Sequence, residues 1–209
     1  MGSREKLFEI ADSQQGFFTA QQAGAAGIAL SHHHRMVQSG QWVREGRGIF
    51  RLASYPTVAH PDLVIYSLWS RNMQGVPQGV WSHDTALNIY AICDVNPAKL
   101  HMTVPTGFRR RSPTPRVLHL HYGNLRPDDL EMCQGYRMTT LIRTLNDVVA
   151  EATLAEDLIL QALREALRKG VLWRDLLHAQ GSKELLTYLR QIDDSKVQNS
   201  HSIPNQPRK

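Results

Sequence analysis

The spacing of capping residues, glycines and apolar positions from Gly16 to Leu52 constrains the fold more than any other part of this 209-residue chain. Thr19 and Gln22 have the spacing of a capping box, in which two side chains satisfy free backbone donors at the start of a helix. The sequence therefore predicts a short helix from Thr19 to about Ala25. Gly27 follows it and suits the positive φ that a tight turn requires.

A second helix is predicted from about Leu30 to Ser39, because Gly40 occupies the left-handed position that ends many helices. Residues three, four and seven positions apart share one side of such a helix. The side expected to pack on the preceding helix consists of His33, Met36, Val37 and Gly40. The side expected to face outward consists of Ser31, His32, Arg35 and Gln38.

Two segments rich in β-branched and aromatic residues follow, Trp42 to Glu45 and Ile49 to Leu52. The Gly46-Arg47-Gly48 sequence between them supplies glycine where a hairpin turn needs it. Helix, turn, helix and hairpin in this order are typical of a winged helix-turn-helix, whose second helix enters the major groove of DNA. The alternative is a small helical bundle with a hairpin and no role in DNA binding.

In a DNA-binding module, the outward side of the second helix would read bases, and Arg47 at the hairpin tip would reach a phosphate or the minor groove. The candidate DNA-binding residues are Thr19, Ser31, His32, Arg35, Gln38, Arg44 and Arg47. The run His32–His34 does not predict a metal site, because adjacent helical residues point about 100° apart and cannot converge on one ion.

The charge of the chain permits a polyanionic partner without requiring one. The formal net charge is +5, to which residues 1–60 contribute +2. The densest basic run lies outside the helix-turn-helix and consists of Arg109, Arg110 and Arg111, with Arg116 nearby. We interpret this basic loop either as an ordinary solvated loop or as a surface for a polyanion, which would make binding salt-dependent.

Several classes of protein are excluded or disfavoured by what the sequence lacks. Cys93 and Cys133 form no disulfide framework or metal-ligand pattern, which favours a reducing cytoplasm. No apolar run approaches the roughly 18 residues of a membrane span, and the N-terminus lacks the hydrophobic region of a signal peptide. Walker and dinucleotide-binding fingerprints are absent as well. We predict no cofactor and no metal site.

Beyond a proline-containing break at Tyr55–Pro61, helical and strand patterns alternate, which predicts an α+β fold. We predict a winged helix-turn-helix domain at residues 1–55, a mixed α/β domain with a helical C-terminal part at 56–192, and a disordered polar tail at 193–209. The predicted strands are Leu100–Val104, Val117–His121 and Tyr136–Thr140, and the longest predicted helix is Ala155–Lys169.

Two further patterns contain histidine. Ser82-His83-Asp84 has the residue types of a hydrolase triad, but we expect consecutive positions not to form the relay, which leaves Ser82 as a helix cap. His119 and His121 share one face of a predicted strand, without a third ligand at a spacing typical of a zinc site.

Five stretches of the sequence together resemble the AbiEi antitoxins of type IV toxin–antitoxin systems. They are GFFTAQQAGAAGI, SHHHRMVQSGQWVREGRGIFRL, VWSHDTAL, LHMTVP and LIRTLNDVV, and the resemblance spans about residues 4–180. The N-terminal motif is shared with many regulators, whereas its combination with VWSHDTAL and with the R-T-L-x-D of Arg143 to Asp147 is much more specific.

The resemblance implies an N-terminal domain that binds inverted repeats in its own promoter and represses the operon. It also implies a C-terminal antitoxin domain that counters a nucleotidyltransferase-like toxin without forming a stable complex with it. In that domain the basic loop and the pair Arg143 and Asp147 could form part of the antitoxin surface, although an intrahelical ion pair is the simpler interpretation of Arg143 and Asp147.

Two other functions remain open from the sequence. One is a stand-alone winged-helix transcriptional regulator with a ligand-sensing C-terminal domain. The other is an enzyme such as a nuclease, which we disfavour because the acidic residues of the second half are scattered and lack a nearby lysine partner.

Overall fold

The computed structural model describes residues 2–110 and 112–201, with side chains described as far as Asp194. The helices of this part of the chain are α1 (Ser3–Asp12), α2 (Ala20–Ala25), α3 (Leu30–Gln38), α4 (Pro61–Trp69), α5 (His83–Tyr90), α6 (Leu141–Ala150), α7 (Glu156–Lys169), α8 (Arg174–Gln180) and α9 (Lys183–His201). Its strands are β1 (Phe17–Thr19), β2 (Trp42–Gly46), β3 (Ile49–Leu52), β4 (Val80–Trp81), β5 (Leu100–Val104), β6 (Leu118–Tyr122), β7 (Leu130–Cys133) and β8 (Tyr136–Thr139). The predicted α+β class with an N-terminal winged helix-turn-helix is confirmed.

The chain divides into two compact units, and neither is continuous in sequence. The first comprises Met1–Trp81, Met102–Thr114 and Leu120–Met138, and the second comprises Ser82–His101, Pro115–His119 and the chain from Thr139 on. This division differs from the predicted single boundary after residue 55.

The first unit contains the helix-turn-helix around an aromatic core. Strands β1, β3 and β2 form an antiparallel sheet in that order. The ring of Phe18 meets that of Trp42 edge to face at 4.7 Å and stacks on Phe50 at 5.9 Å, an arrangement that suits the ring quadrupoles. Leu7 and Ala11 of α1 are buried against this core, whereas Phe8 of the same helix is 52% exposed.

Contacts across the predicted linker explain why the first unit does not end at Tyr55. Phe17 of β1 and Ile49 of β3 share a buried cluster with Val64 and Leu68 of α4. The Gln15 side chain also donates to the backbone oxygen of Gln134 at 2.8 Å. A separation at residue 55 would therefore expose apolar side chains of both parts.

Most of a five-stranded sheet, with strand order β6-β5-β4-β8-β7, also belongs to the first unit. Its central strand β4 has two residues and pairs antiparallel with β5 and parallel with β8. The indole N–H of the fully buried Trp81 donates to the Leu63 carbonyl and lies 3.1 Å from the Ser67 hydroxyl of α4.

The second unit is mainly helical, as predicted for the C-terminal part. Its core consists of apolar residues of α5, α6, α7, α8 and α9, among them the fully buried Leu145, Leu163 and Leu185. Helix α9 extends to His201 and so includes the first residues of the segment predicted to be a disordered tail, which stays a prediction. The Asp193 carboxylate accepts two hydrogen bonds from Arg174 at 2.6 and 2.7 Å, which fixes the helix beyond its apolar part. Residues 202–209 lie outside the described residues.

Candidate nucleic-acid interface

The start of α2 is formed as the capping box predicts. The Thr19 hydroxyl accepts from the Gln22 N–H at 3.2 Å, and the Gln22 side chain accepts from the Thr19 N–H at 2.8 Å. Thr19 is only 1% exposed. Its prediction as a DNA-binding residue is therefore corrected, because the hydroxyl is buried and satisfies the helix terminus.

Helix α3 turns His33, Met36 and Val37 toward the core as their spacing predicts, whereas Gly40 follows the helix and is exposed. His33 is 5% exposed, its ring lies 5.1 Å from that of Trp42, and its Nε2 donates to the Ile28 carbonyl at 3.1 Å. Met36 and Val37 are half-buried against the same core. These contacts fix the rotation of α3 about its axis and its position beside the hairpin.

The opposite side of α3 faces solvent along its whole length. The predicted DNA-contacting residues on this side are all exposed, namely Ser31, His32, Arg35 and Gln38. Leu30 at the start of the helix is 74% exposed as well. The outward surface thus combines one cation with several hydrogen-bonding groups and one apolar side chain, a mixture suited to base edges.

Strands β2 and β3 form the hairpin, which we call the wing. Its turn contains Gly48 with φ of 68°, a conformation that glycine adopts without strain. Arg44 and Arg47 are exposed, as a DNA-facing role requires. Arg51 was not among the candidates, and it pairs with Glu45 at 2.9 Å.

The structure places part of the basic loop beside the wing. Arg109 and Arg110 line a cavity of about 500 Å³ together with Arg47 and with Arg71, which follows α4. Arg71 was missed by sequence reasoning, because it is an isolated cation whose neighbours in the fold are distant in sequence. Arg111 lies outside the described residues, and Arg116 is exposed on the second unit.

The remaining predicted surface residues, Arg143 and Asp147, form an ion pair on α6. The Arg143 Nε donates to both carboxylate oxygens of Asp147 at 2.9 and 3.0 Å. This geometry is that of the intrahelical pair, and such pairs stabilise isolated helices by about 0.2–0.5 kcal/mol. Both residues belong to the second unit.

The Ser82-His83 dipeptide departs from the expected helix cap. Ser82 precedes α5, but its hydroxyl makes no capping bond and lies 2.9 Å from His83 Nδ1. The adjacent side chains converge because His83 has a left-handed φ of 51°. The other ring nitrogen of His83 lies 3.4 Å from a Glu151 carboxylate oxygen, whereas Asp84 accepts a hydrogen bond from Thr153. Ser82 is fully buried, so this arrangement offers a substrate no access.

His119 is part of a stack of imidazoles in the second unit. Its ring lies 4.9 Å from that of His101, with 18° between the planes. Burial lowers the pKa of His101, and the neighbouring His119 and His83 lower it further against the opposing charges of Asp84 and Glu151. These histidines are therefore packed among one another and their carboxylate neighbours.

These features define a winged helix-turn-helix protein in which the second helix of that motif, α3, has an exposed polar side. Residues 5–53 match the family model described as transcriptional regulator, AbiEi antitoxin. The predicted resemblance to this family is thereby confirmed for the helix-turn-helix and wing, and the match supports a transcriptional regulator of the antitoxin type. The match does not extend into VWSHDTAL or the later motifs. No curated protein matches the chain.

Within the described part of the chain, no helix combines the length and apolar character needed to cross a membrane.

Proposed function

We propose that this protein is a DNA-binding autorepressor and antitoxin, with α3 as the recognition helix. The observation that carries the proposal is the exposed polar side of α3, opposite a side held in the core by His33. Because α3 has a buried side and an exposed side, the exposed side can enter a major groove without any core contact being broken. The wing lies next to α3 and can contact the same DNA.

The exposed residues divide by the contacts that they can make. Arg35 can donate two hydrogen bonds to guanine, and Gln38 can pair with adenine through its amide. Ser31 and His32, near the N-terminus of α3, can contact either a base edge or a phosphate. Arg44 and Arg47 on the wing supply phosphate contacts, which position the module without reading sequence.

The finer assignment is supported by the family match of residues 5–53 and, for the remainder of the chain, by the resemblance of its later motifs to the same family. We propose that the protein binds inverted repeats in its own promoter and represses its operon in the cytoplasm. The remainder of the chain would counter a nucleotidyltransferase-like toxin encoded beside it, without a stable complex. No catalytic role is proposed for either unit.

This proposal is tested with the DNA upstream of the protein's own gene. Fluorescence anisotropy should show tighter binding to that duplex than to a duplex of the same composition in scrambled order. A reporter behind the same promoter should be repressed when the protein is expressed. Equal affinity for both duplexes together with an unrepressed reporter would contradict the autorepressor.

The antitoxin role needs a separate experiment. The neighbouring reading frame is induced alone and together with this protein, and growth is followed. Restored growth in the presence of the protein supports the antitoxin. A neighbouring product that is harmless alone, or toxicity that the protein does not relieve, would contradict it.

A ligand-sensing regulator is the second candidate, because one observation favours it. The half-buried Arg137 lines a cavity of about 260 Å³ whose other walls include Val80, Val104 and Leu130. Its guanidinium donates to the Pro77 carbonyl at 2.6 Å, and burial lowers its pKa. An arginine on the wall of a mainly apolar cavity suits a small carboxylate ligand.

The two candidates make different predictions for Arg137. In a sensing regulator, Arg137→Gln would leave DNA binding intact but abolish any response to small carboxylates in the reporter assay. If no carboxylate of a test panel changes repression by the wild-type protein, the ligand-sensing function is contradicted.

A further inference from the structure

Four arginines from three separate segments meet around one cavity of the first unit. Arg47 comes from the wing, Arg71 follows α4, and Arg109 and Arg110 come from the loop after β5. The other lining residues are Asn72, Met73 and Ser112, so within the described part of the chain no carboxylate lines the cavity. We call this the arginine cavity.

The positions of two of these cations are fixed by specific contacts. Arg110 donates to the Arg71 carbonyl at 2.7 Å, and its Cζ lies 5.4 Å from the centroid of the Trp69 ring. Arg71 donates to the Leu68 carbonyl at 2.7 Å. Each guanidinium has five N–H donors, so these bonds leave further donors on Arg71 and Arg110 to meet an anion.

Gathering these charges has an electrostatic cost. Burial lowers the pKa of Arg71, and the charge of Arg110 lowers it further. Partial burial also lowers the pKa of Arg110. Among the described contacts, neither arginine has a carboxylate partner that would offset this repulsion. Like charges that are held together without an acid within the fold favour an anion from outside it.

We propose that the arginine cavity binds phosphates of the DNA backbone next to the groove that α3 occupies. This inference rests on the proposed DNA-binding function and adds Arg71 and the loop after β5 to its interface. This proposal gives a function to Arg109 and Arg110 of the basic loop, because they extend the cationic surface that begins at Arg47.

Duplex DNA fits the arginine cavity better than a free phosphorylated molecule does. The wing that carries Arg47 is locked to α3 through the packing of His33 on Trp42. A groove that receives α3 therefore brings its flanking backbone to the wing. Arg47 and Arg109 are exposed and Arg71 is half-buried, so the cationic groups extend from the open surface into the cavity.

The test uses full-length Arg71→Gln, Arg110→Gln and the double variant, with Arg190→Gln on the exposed surface of α9 as the matched control. Affinity for the upstream duplex and for the scrambled duplex is measured over a series of salt concentrations. Each lost phosphate contact should lower the slope of log affinity against log salt by about 0.9, hence about 1.8 for the double variant. Both duplexes should be affected equally, and the control should have the wild-type slope.

Thermal melting separates loss of contact from loss of folding. We expect both single variants to melt close to the wild type, because each change removes one cation from a like-charged group. If Arg71→Gln does not fold, Arg109→Gln takes its place, since the described bonds of Arg109 go to the carbonyls of Thr106 and Phe108. The same decrease of about 0.9 in slope is then expected.

Wild-type slopes in folded cavity variants would overturn the inference while leaving α3-dependent binding in place. Tight binding of tripolyphosphate to the wild type, lost in the double variant while the DNA slope is unchanged, would assign the cavity to a free phosphorylated ligand instead. A wild-type protein that binds neither duplex would overturn the proposed function itself, and this inference with it.

Discussion

Thr19 shows how one hydroxyl can satisfy a structural requirement and be mistaken for a ligand contact. The same residue was predicted as a helix cap and as a DNA contact, and the structure confirms the first and corrects the second. The cap uses the hydroxyl to accept from Gln22, and burial leaves it no route to solvent. Ser82 is the converse case, since its position is that of a cap but its hydroxyl bonds to a histidine ring.

Replacing Thr19 by alanine should destabilise the protein without altering its contacts with DNA. Loss of an N-cap hydroxyl costs about 1 kcal/mol of unfolding free energy. Urea denaturation should show this loss, and Thr19→Ser should retain most of the wild-type stability. If folded Thr19→Ala loses affinity for both duplexes at unchanged stability, the original assignment as a DNA contact would be restored.

His101 predicts how stability depends on pH. Its folded-state pKa lies below the ordinary value of 6.5, chiefly because of burial, so the folded state binds this proton less readily than the unfolded state does. Above about 6.5 the residue contributes no pH dependence, and stability should fall as pH decreases from there through the folded pKa. The melting temperature should therefore fall less on acidification in His101→Gln, whereas the exposed-site control His34→Gln should behave like the wild type. Identical acid profiles for His101→Gln and the wild type would contradict this.

At the scale of elements, local patterns predicted most helices and the wing, whereas pairings between distant residues escaped prediction. The capping box, Gly40 and the wing segments rich in β-branched and aromatic residues act within a few residues, so sequence spacing reveals them. Strand β4 has two residues, and its pairing with β5 and β8 comes from tertiary structure alone. The arginine cavity has the same origin, because Arg71 meets Arg110 only through the fold.

For the wing, we predict how the loss of one exposed arginine changes DNA binding. Arg47→Ala should weaken binding to specific and scrambled duplexes by the same factor and lower the salt slope by about 0.9, since a phosphate contact carries no sequence information. Arg51 on the same hairpin is already paired with Glu45, so Arg51→Gln serves as a control with a smaller effect on the slope. A loss confined to the upstream duplex would instead place Arg47 in a groove as a base-reading residue.

At the scale of the whole molecule, the helix-turn-helix is part of a larger unit. A break with two prolines at Tyr55–Pro61 predicts a domain boundary, but the chain beyond it returns to pack α4 against β1 and β3. Sequence patterns identify each segment and do not show that the core of one segment is completed by another. The family match to residues 5–53 therefore covers the helix-turn-helix and wing, which form only part of the first compact unit.

A fragment that begins at Pro61 should consequently fold poorly. It would expose Val64 and Leu68, which are 0% and 1% exposed in the intact chain, where they pack with Phe17 and Ile49. We expect loss of cooperative thermal unfolding by circular dichroism, with the full-length chain as the control. Cooperative unfolding of the fragment would contradict this expectation and would show that the chain after the predicted boundary folds as an independent domain.

The proposed function requires that the outward side of α3 reads DNA sequence. The most direct test is the ratio of affinities for the upstream and scrambled duplexes at one salt concentration, compared between the wild type and Arg35→Ala. A bidentate base contact contributes about 1–3 kcal/mol of discrimination, so the ratio should fall by roughly 5- to 150-fold while the salt slope changes little. An unchanged ratio in a folded Arg35→Ala and Gln38→Ala double variant would contradict the assignment of α3 as the recognition helix.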